Sequence, residues 1–248
     1  MATHYQWDWR FFLEPVSTGE PTNYLGWLIS GLQNTLTLAL CASAIALLVG
    51  VCMGIMRSTP SKVLSGIGTT YVALFRNVPL IVQFFLWYFV LPELVPTPLG
   101  AWFKQLPSNA QFFSSAILCL GLFTGARVCE QIRAGIKALP RGQQPAAVAL
   151  GLTLPQAYRY VLLPVAFRVV IPPMTSEFLN VFKNSAVASA IGLLDLSAQS
   201  QQLVDYTSHA YESFIAATLI YVAINSIVMA FMRWVDRKAR LPGYIGSK

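Results

Sequence analysis

A chain of 248 residues with 55% hydrophobic and only 11% charged residues is too apolar for an ordinary soluble domain. Its formal net charge of +7 gathers in segments that flank apolar runs, with no basic face on a soluble domain, which argues against a nucleic-acid-binding module. The four cysteines, Cys41, Cys52, Cys119 and Cys129, lie within apolar runs without a C-x-x-C or Cys/His cluster, so they read as small apolar residues with neither disulfide nor metal roles.

A helix rises about 1.5 Å per residue, so about 20 apolar residues cross a bilayer core. Residues 1–23 carry His4, Asp8, Arg10, Glu14 and Glu20 and no apolar core of a cleavable signal, so the first span is expected to direct insertion. Trp7, Trp9, Phe11 and Phe12 in this segment predict an interfacial lead-in. The first span is predicted at about 27–53, inside the uncharged stretch 21–56, and is closed by Arg57 and Lys62 around the breaker Pro60. A second span over about 66–90 is interrupted by Arg76, Asn77 and Pro79, with Gln83 on the Arg76 face. Pro92, Pro96, Pro98 and Pro107 then predict a non-helical loop carrying Glu93 and Lys104. The third span, about 112–132, ends in Arg127, Glu130 and Arg133, whose i, i+3, i+6 spacing predicts a local ion-pair ladder.

A moderately polar segment, 133–164, follows, and a fourth span at about 165–190 holds Pro172 and Pro173, which are expected to break or kink it. Asp195, Asp205 and Glu212 mark an acidic loop; a fifth span occupies about 213–232, and 236–248 is a basic tail. The chain is thus predicted to be an all-α integral membrane protein with five transmembrane helices. The positive-inside bias places the N-terminus in the periplasm and the C-terminus in the cytoplasm. That arrangement leaves only Arg10 and Lys104 as basic residues outside, and between Glu130 and Glu177 there is no acid at all.

Catalytic patterns are absent. There is no G-x-x-x-x-G-K-[ST] loop, no H-E-x-x-H and no G-x-S-x-G. His4 and His209 are far apart in the chain, and Glu130 and His209 are expected on opposite sides, so an interfacial lipid enzyme lacks its constellation. A stand-alone carrier usually shows an internal repeat and acid/His relays, which this sequence lacks. If the protein moves a solute uphill, another subunit must supply the energy.

Polar residues at membrane depth cost about 2.5–3.5 kcal/mol or more when charged, so they face protein or a water-filled path. Glu177, Asn180 and Asn184 share a face of the fourth span, with Lys183 three residues beyond Asn180. Together with Arg76 and Gln83 they are candidates for a translocation pathway, in which Lys183 and Arg76 would meet an anionic substrate. A packed interhelical network, with Glu177 neutralised by a basic residue on another span, explains the same residues.

Within the polar segment, Ala146 and Ala147 are followed after three residues by Gly151, and after nine more by Val161, Leu162, Leu163 and Pro164. Ala147 and Gly151, four apart, would form a small-residue face for close approach to a partner. This spacing resembles the E-A-A signature of ABC-importer permeases, with Pro145 in place of Glu and Val161 in place of Ile. YLGWLISGLQNTL from Tyr24, FRNVPLIVQFFLWY from Phe75, LFTGARVCEQIRAGIKALPRGQ from Leu122 and PPMTSEFLNVFKNSAVASAIGL from Pro172 extend the likeness to the polar-amino-acid group of that family, nearest its glutamate/aspartate importers.

The resemblance implies the type I ABC-importer permease fold and a bacterial inner-membrane complex. Its partners would be a second homologous permease, two ATPase subunits that bind ATP and Mg, and a periplasmic amino-acid-binding protein. This chain itself would need no cofactor. Ala146, Ala147, Gly151, Leu163 and Pro164 match the signature of a cytoplasmic coupling helix that docks on the ATPase and drives alternating access. Pro145 suits a first helical turn but removes whatever contact the Glu makes.

Overall fold

The computed structural model describes residues 5–239, and the only regular structure among them is helical. Four helical stretches are long and apolar enough to cross a membrane: Tyr24–Ser58, Ser108–Lys137, Leu154–Ile191 and Ala210–Ala239. A fifth span results if Lys62–Asn77 and Leu80–Leu94, broken at Val78 and Pro79, count as one. The break is where Pro79 lacks an N–H and biases Val78 towards extended backbone, and Val78 has ψ 129°.

In chain order the α-helices are α1 (Tyr24–Ser58), α2 (Lys62–Asn77), α3 (Leu80–Phe85), α4 (Leu91–Leu94), α5 (Thr97–Gln105), α6 (Ser108–Lys137), α7 (Gln143–Ala149), α8 (Leu154–Ala157), α9 (Leu163–Asn184), α10 (Leu196–Thr207) and α11 (Ala210–Ala239). A π-helical turn, Leu86–Val90, joins α3 to α4, another, Tyr158–Leu162, joins α8 to α9, and a 3-10 turn, Ser185–Ile191, extends α9. Pro172 and Pro173 lie inside α9 without ending it, so of the expected break or kink the break is absent. The carbonyls of Arg168 and Val169 lose their i+4 donors there.

The chain packs as two compact units. One comprises the described residues up to Cys41 with Leu80–Cys119 and Phe182–Ser226; the other comprises Ala42–Pro79, Leu120–Val181 and the described residues from Ile227 onward.

The first unit differs from the sequence expectation in three places. Phe11 and Phe12 are buried beside Val16, Tyr24, Trp27, Leu28, Leu196 and Leu203, so they belong to a core and do not lie at an interface. The proline-rich stretch forms α4 and α5, because Pro92 and Pro98 occupy first-turn positions where a missing N–H costs nothing. The acidic loop is mostly α10, whose N-cap Asp195 accepts from the Ala198 N–H at 3.0 Å. The Asn34 amide and Thr35 hydroxyl on α1 fix its approach, bonding Leu194 O and Leu196 N–H at 2.7 and 3.0 Å.

The second unit is built on close contact between α1 and α6. A Cβ on Gly50 would lie 2.6 Å from Val128 and 2.7 Å from Gly125 O, and one on Gly54 would lie 2.7 Å from Ile132. Gly50/Gly54 and Gly121/Gly125 are two G-x-x-x-G pairs that let helix backbones meet where hydrophobic driving force is weak. Ala46, Val128, Ile132, Val170 and Met174 close the core around them. Cys119 and Cys129 are buried within their units, whereas Cys41 and Cys52 lie on outward faces.

Candidate functional site

The segment with the coupling spacing lies entirely in the second unit. Pro145 is the third residue of α7, within the first turn, where intrahelical donors are not required. Ala147 is buried, while Val148 and Leu150 are 48% and 85% exposed at the end of the helix. Gly151 lies beyond that end, with φ +87°. Its N–H bonds Val148 O at 2.9 Å and the Leu152 N–H bonds Ala147 O at 3.2 Å, the double bond pattern of a Schellman stop. The expected small-residue face of Ala147 and Gly151 is therefore not a helical face; Gly151 provides the left-handed turn that ends α7.

After that turn the chain restarts at once. Gln156 Oε1 accepts from the Thr153 N–H at 2.8 Å and from the Thr153 hydroxyl at 2.9 Å, one arm of a capping box that starts α8. Tyr158, buried, donates to Ser58 O at the end of α1 at 2.6 Å. Leu162 is buried beside Leu139, Tyr158 and Ala166, with Leu163 packed on this cluster. Leu163 and Pro164 are the first residues of α9, so the signature's last positions belong to the spanning helix itself. A cleft of about 600 Å³ beside α7 is lined by Arg57, Lys137, Arg141, Gln144 and Tyr158, with no carboxylate among the described residues that line it.

The intramembrane candidates separate. Glu177 is buried; its Oε2 accepts from Arg127 Nε at 2.5 Å, and its Oε1 from Gln131 at 3.4 Å. The expected ladder on α6 divides accordingly: Arg127 turns to α9, while Glu130 gathers Arg133 at 2.8 Å, Arg76 at 3.5 Å and Arg57. One carboxylate thus holds guanidinium groups from α1, α2 and α6. Gln83 is buried on α3, and Asn180 and Asn184 are half-buried on α9. Lys183 is exposed, and among the described residues it forms no ion pair.

Sequence reasoning missed Arg57, Arg127 and Gln131 as members of these networks, and the two glycine pairs. The glycine spacing was a readable signal. Arg133 is the i+3 partner of Glu130 that the ladder spacing anticipated, whereas Arg57 lies 73 residues from Glu130 and Arg127 lies 50 from Glu177, beyond any helical periodicity.

Four to five helical stretches long and apolar enough to cross a membrane, with a short exposed helix inside the polar segment between two of them, match the permease class of type I ABC importers. The chain belongs to the family described as binding-protein-dependent transport system inner membrane component, whose model matches residues 30–241. It is 61% identical over 243 residues, 98% of each chain, to the glutamate/aspartate import permease protein GltJ of Escherichia coli (strain K12). It is 32% identical to the arginine transport system permease protein ArtQ of Bacillus subtilis (strain 168), over 86% of this chain and 92% of that one. Among solved structures, a crystal structure of an amino acid ABC transporter with histidines matches with TM-score 0.72 and 31% identity, covering 87% of this chain and 95% of that chain. The MetNI methionine ABC transporter in an inward-facing conformation shares the fold, with TM-score 0.73 and 19% identity over 90% of this chain and 100% of that chain. The chain is accordingly a multi-pass inner-membrane permease subunit for amino-acid transport.

Proposed function

We propose that the chain imports glutamate and aspartate. The observation that carries this reading is the 61% identity to the glutamate/aspartate permease across 98% of both chains, against 31–32% for relatives named for glutamine and arginine. Its partners are a second homologous permease in a heterodimer, two ATPase subunits and a periplasmic amino-acid-binding protein. ATP and Mg belong to the ATPase; this sequence offers no phosphate-cradling loop to hold them.

The N-terminus lies in the periplasm and the C-terminus in the cytoplasm, supported by the basic bias of the segments around α7 and after α11. Residues 24–235 form the transmembrane domain and 133–164 the coupling loop; of the basic tail 236–248, residues 236–239 continue α11 and residues 240–248 lie outside the described residues. On the cytoplasmic side α7 presents Val148 and Leu150 to a groove of the ATPase. Ala146 and Ala147 keep the helix slim, and Gly151 fixes its length. Leu163 and Pro164, at the head of α9, pass its displacement to the spanning helix.

Arg76, Glu177 and Asn180 in the second unit, and Gln83, Lys183 and Asn184 in the first, are each candidates to meet the substrate on its way across. Lys183, exposed and without an acidic partner among the described residues, is the cation best placed to meet a substrate carboxylate. Glu177, already neutralised by Arg127, positions that guanidinium.

The discriminating experiment is competition in binding-protein-dependent uptake, with unlabelled glutamate, aspartate, glutamine, histidine and arginine against labelled glutamate. Glutamate and aspartate should compete, and arginine should not. Competition by arginine with none by aspartate would sink the substrate assignment while leaving the transport class standing.

A further inference from the structure

The N-terminal segment carries a ring cluster that neither the coupling segment nor the candidate route uses. Tyr5, Trp7, Trp9 and Tyr211 are 40%, 56%, 46% and 59% exposed. They nevertheless pack on one another: Tyr5 meets Tyr211 edge-on at 4.6 Å between centroids, and Trp7 lies parallel to Trp9 at 6.1 Å. Single exposed aromatics are ordinary, but four in contact make a patch that calls for an occupant.

Glu212 holds the segment in place. It is fully buried, and its two oxygens accept from the Tyr5 hydroxyl at 2.5 Å and from the Asp8 N–H at 2.9 Å. The hydrogen bond to Glu212 pushes the Tyr5 phenol up to about 12, so it remains a donor at neutral pH. The His209 ring lies parallel over Phe11 at 4.6 Å and braces the same turn.

The depth of the patch follows from α11. Ser213–Met232 is a run of 20 uncharged residues, which at about 1.5 Å each spans about 30 Å, the thickness of the hydrocarbon core. Tyr211 precedes that run by two residues, about 3 Å along the axis. Rings packed on Tyr211 therefore lie in the headgroup layer, where indole and phenol rings settle with the apolar body inward and the polar edge in water. Asp8 and Arg10 bring opposite charges to the patch, so ring insertion and not attraction to anionic lipid is the driving term.

We propose that Tyr5, Trp7, Trp9 and Tyr211 form a lipid-docking face, pinned to α11 by Glu212, that seats the N-terminal segment in the headgroup layer of the bilayer. In the orientation proposed above this is the periplasmic leaflet.

The test uses the complete complex in phosphatidylcholine nanodiscs, with acyl chains brominated near the headgroup. The chain has six tryptophans, so the difference in emission between the unsubstituted protein and a W7F/W9F variant isolates the two of interest. Phenylalanine retains the ring packing. That difference component should fall about twofold in brominated lipid, equally at low and high salt, and respond weakly to aqueous iodide. Glu212→Ala should abolish much of the lipid quenching of that component while the emission of the other tryptophans is unchanged. Quenching by iodide alone, or shielding that develops only when the binding protein is added, would overturn the proposal, the second outcome in favour of a protein-docking face. The readout is independent of transport, so it can fail or succeed apart from the substrate assignment.

Discussion

At the scale of single residues, the buried carboxylates decide most. Glu177 and Arg127 form a pair whose acid is 7% and whose guanidinium is 38% exposed. Removing one partner of a fully buried pair costs about 3–5 kcal/mol; with Arg127 partly open, Glu177→Gln should cost about 1–3 kcal/mol. Thermal unfolding of the purified complex would show this as a lowered Tm, and a double-mutant cycle with Arg127→Ala should return a coupling near 1 kcal/mol or above. Additive single effects would mean that the two side chains do not act as a pair. Asp195 behaves oppositely. Burial pushes its carboxyl above the ordinary value of 3.8, against the N–H of Ala198 and the Tyr221 hydroxyl, which favour the anion. The folded state therefore binds this proton more tightly than the unfolded chain. The favourable contribution is full below the unfolded value, about pH 4, and is lost as pH rises through the folded value. Asp195→Asn, which can still cap α10, should flatten that part of the Tm-versus-pH curve and leave stability at neutral pH unchanged or higher. An unaltered slope would assign it to other groups.

At the scale of elements, the glycines test the packing. Gly151 has open space around its missing Cβ but φ +87°, so Gly151→Val should cost about 1–2 kcal/mol of backbone strain at the end of α7. It should loosen α7 more than the rest of the molecule. Gly50 is the reverse case: ordinary backbone, but no room against Val128 and Gly125 O. Gly50→Leu should force α1 from α6 at a cost of several kcal/mol, read as loss of intact complex on size exclusion. Comparable yields of complex would show that the two helices can separate without penalty.

The elements also show what could be read from the sequence. The long spans announce themselves by length and apolarity, and the Gly151 position by its spacing from Ala146 and Ala147. α4, α5 and α10 did not, because proline and aspartate mark turns and helix starts alike, and only the following residues' packing decides between them. Phe11 and Phe12 read as interfacial rings because Leu196 and Leu203, which cover them, are more than 180 residues away in the sequence. The partner of Glu177 was anticipated as a basic residue on another span, but its identity needed three-dimensional proximity.

At the scale of the whole molecule, the proposed function makes the exposed Val148 and Leu150 of α7 the point where a partner ATPase acts on this permease subunit. The account requires that energy enter through α7 and leave as solute movement along α9 and its neighbours. The most direct measurement is uptake of labelled glutamate into proteoliposomes holding this chain, its partner permease and their ATPase, with the binding protein outside and ATP inside. A parallel sample carries Gly151→Val. The account predicts ATP-dependent accumulation that the substitution reduces at least tenfold, a loss of about 1.4 kcal/mol of coupling, while the complex remains assembled. Accumulation by this chain alone, indifferent to ATP and to Gly151, would contradict it.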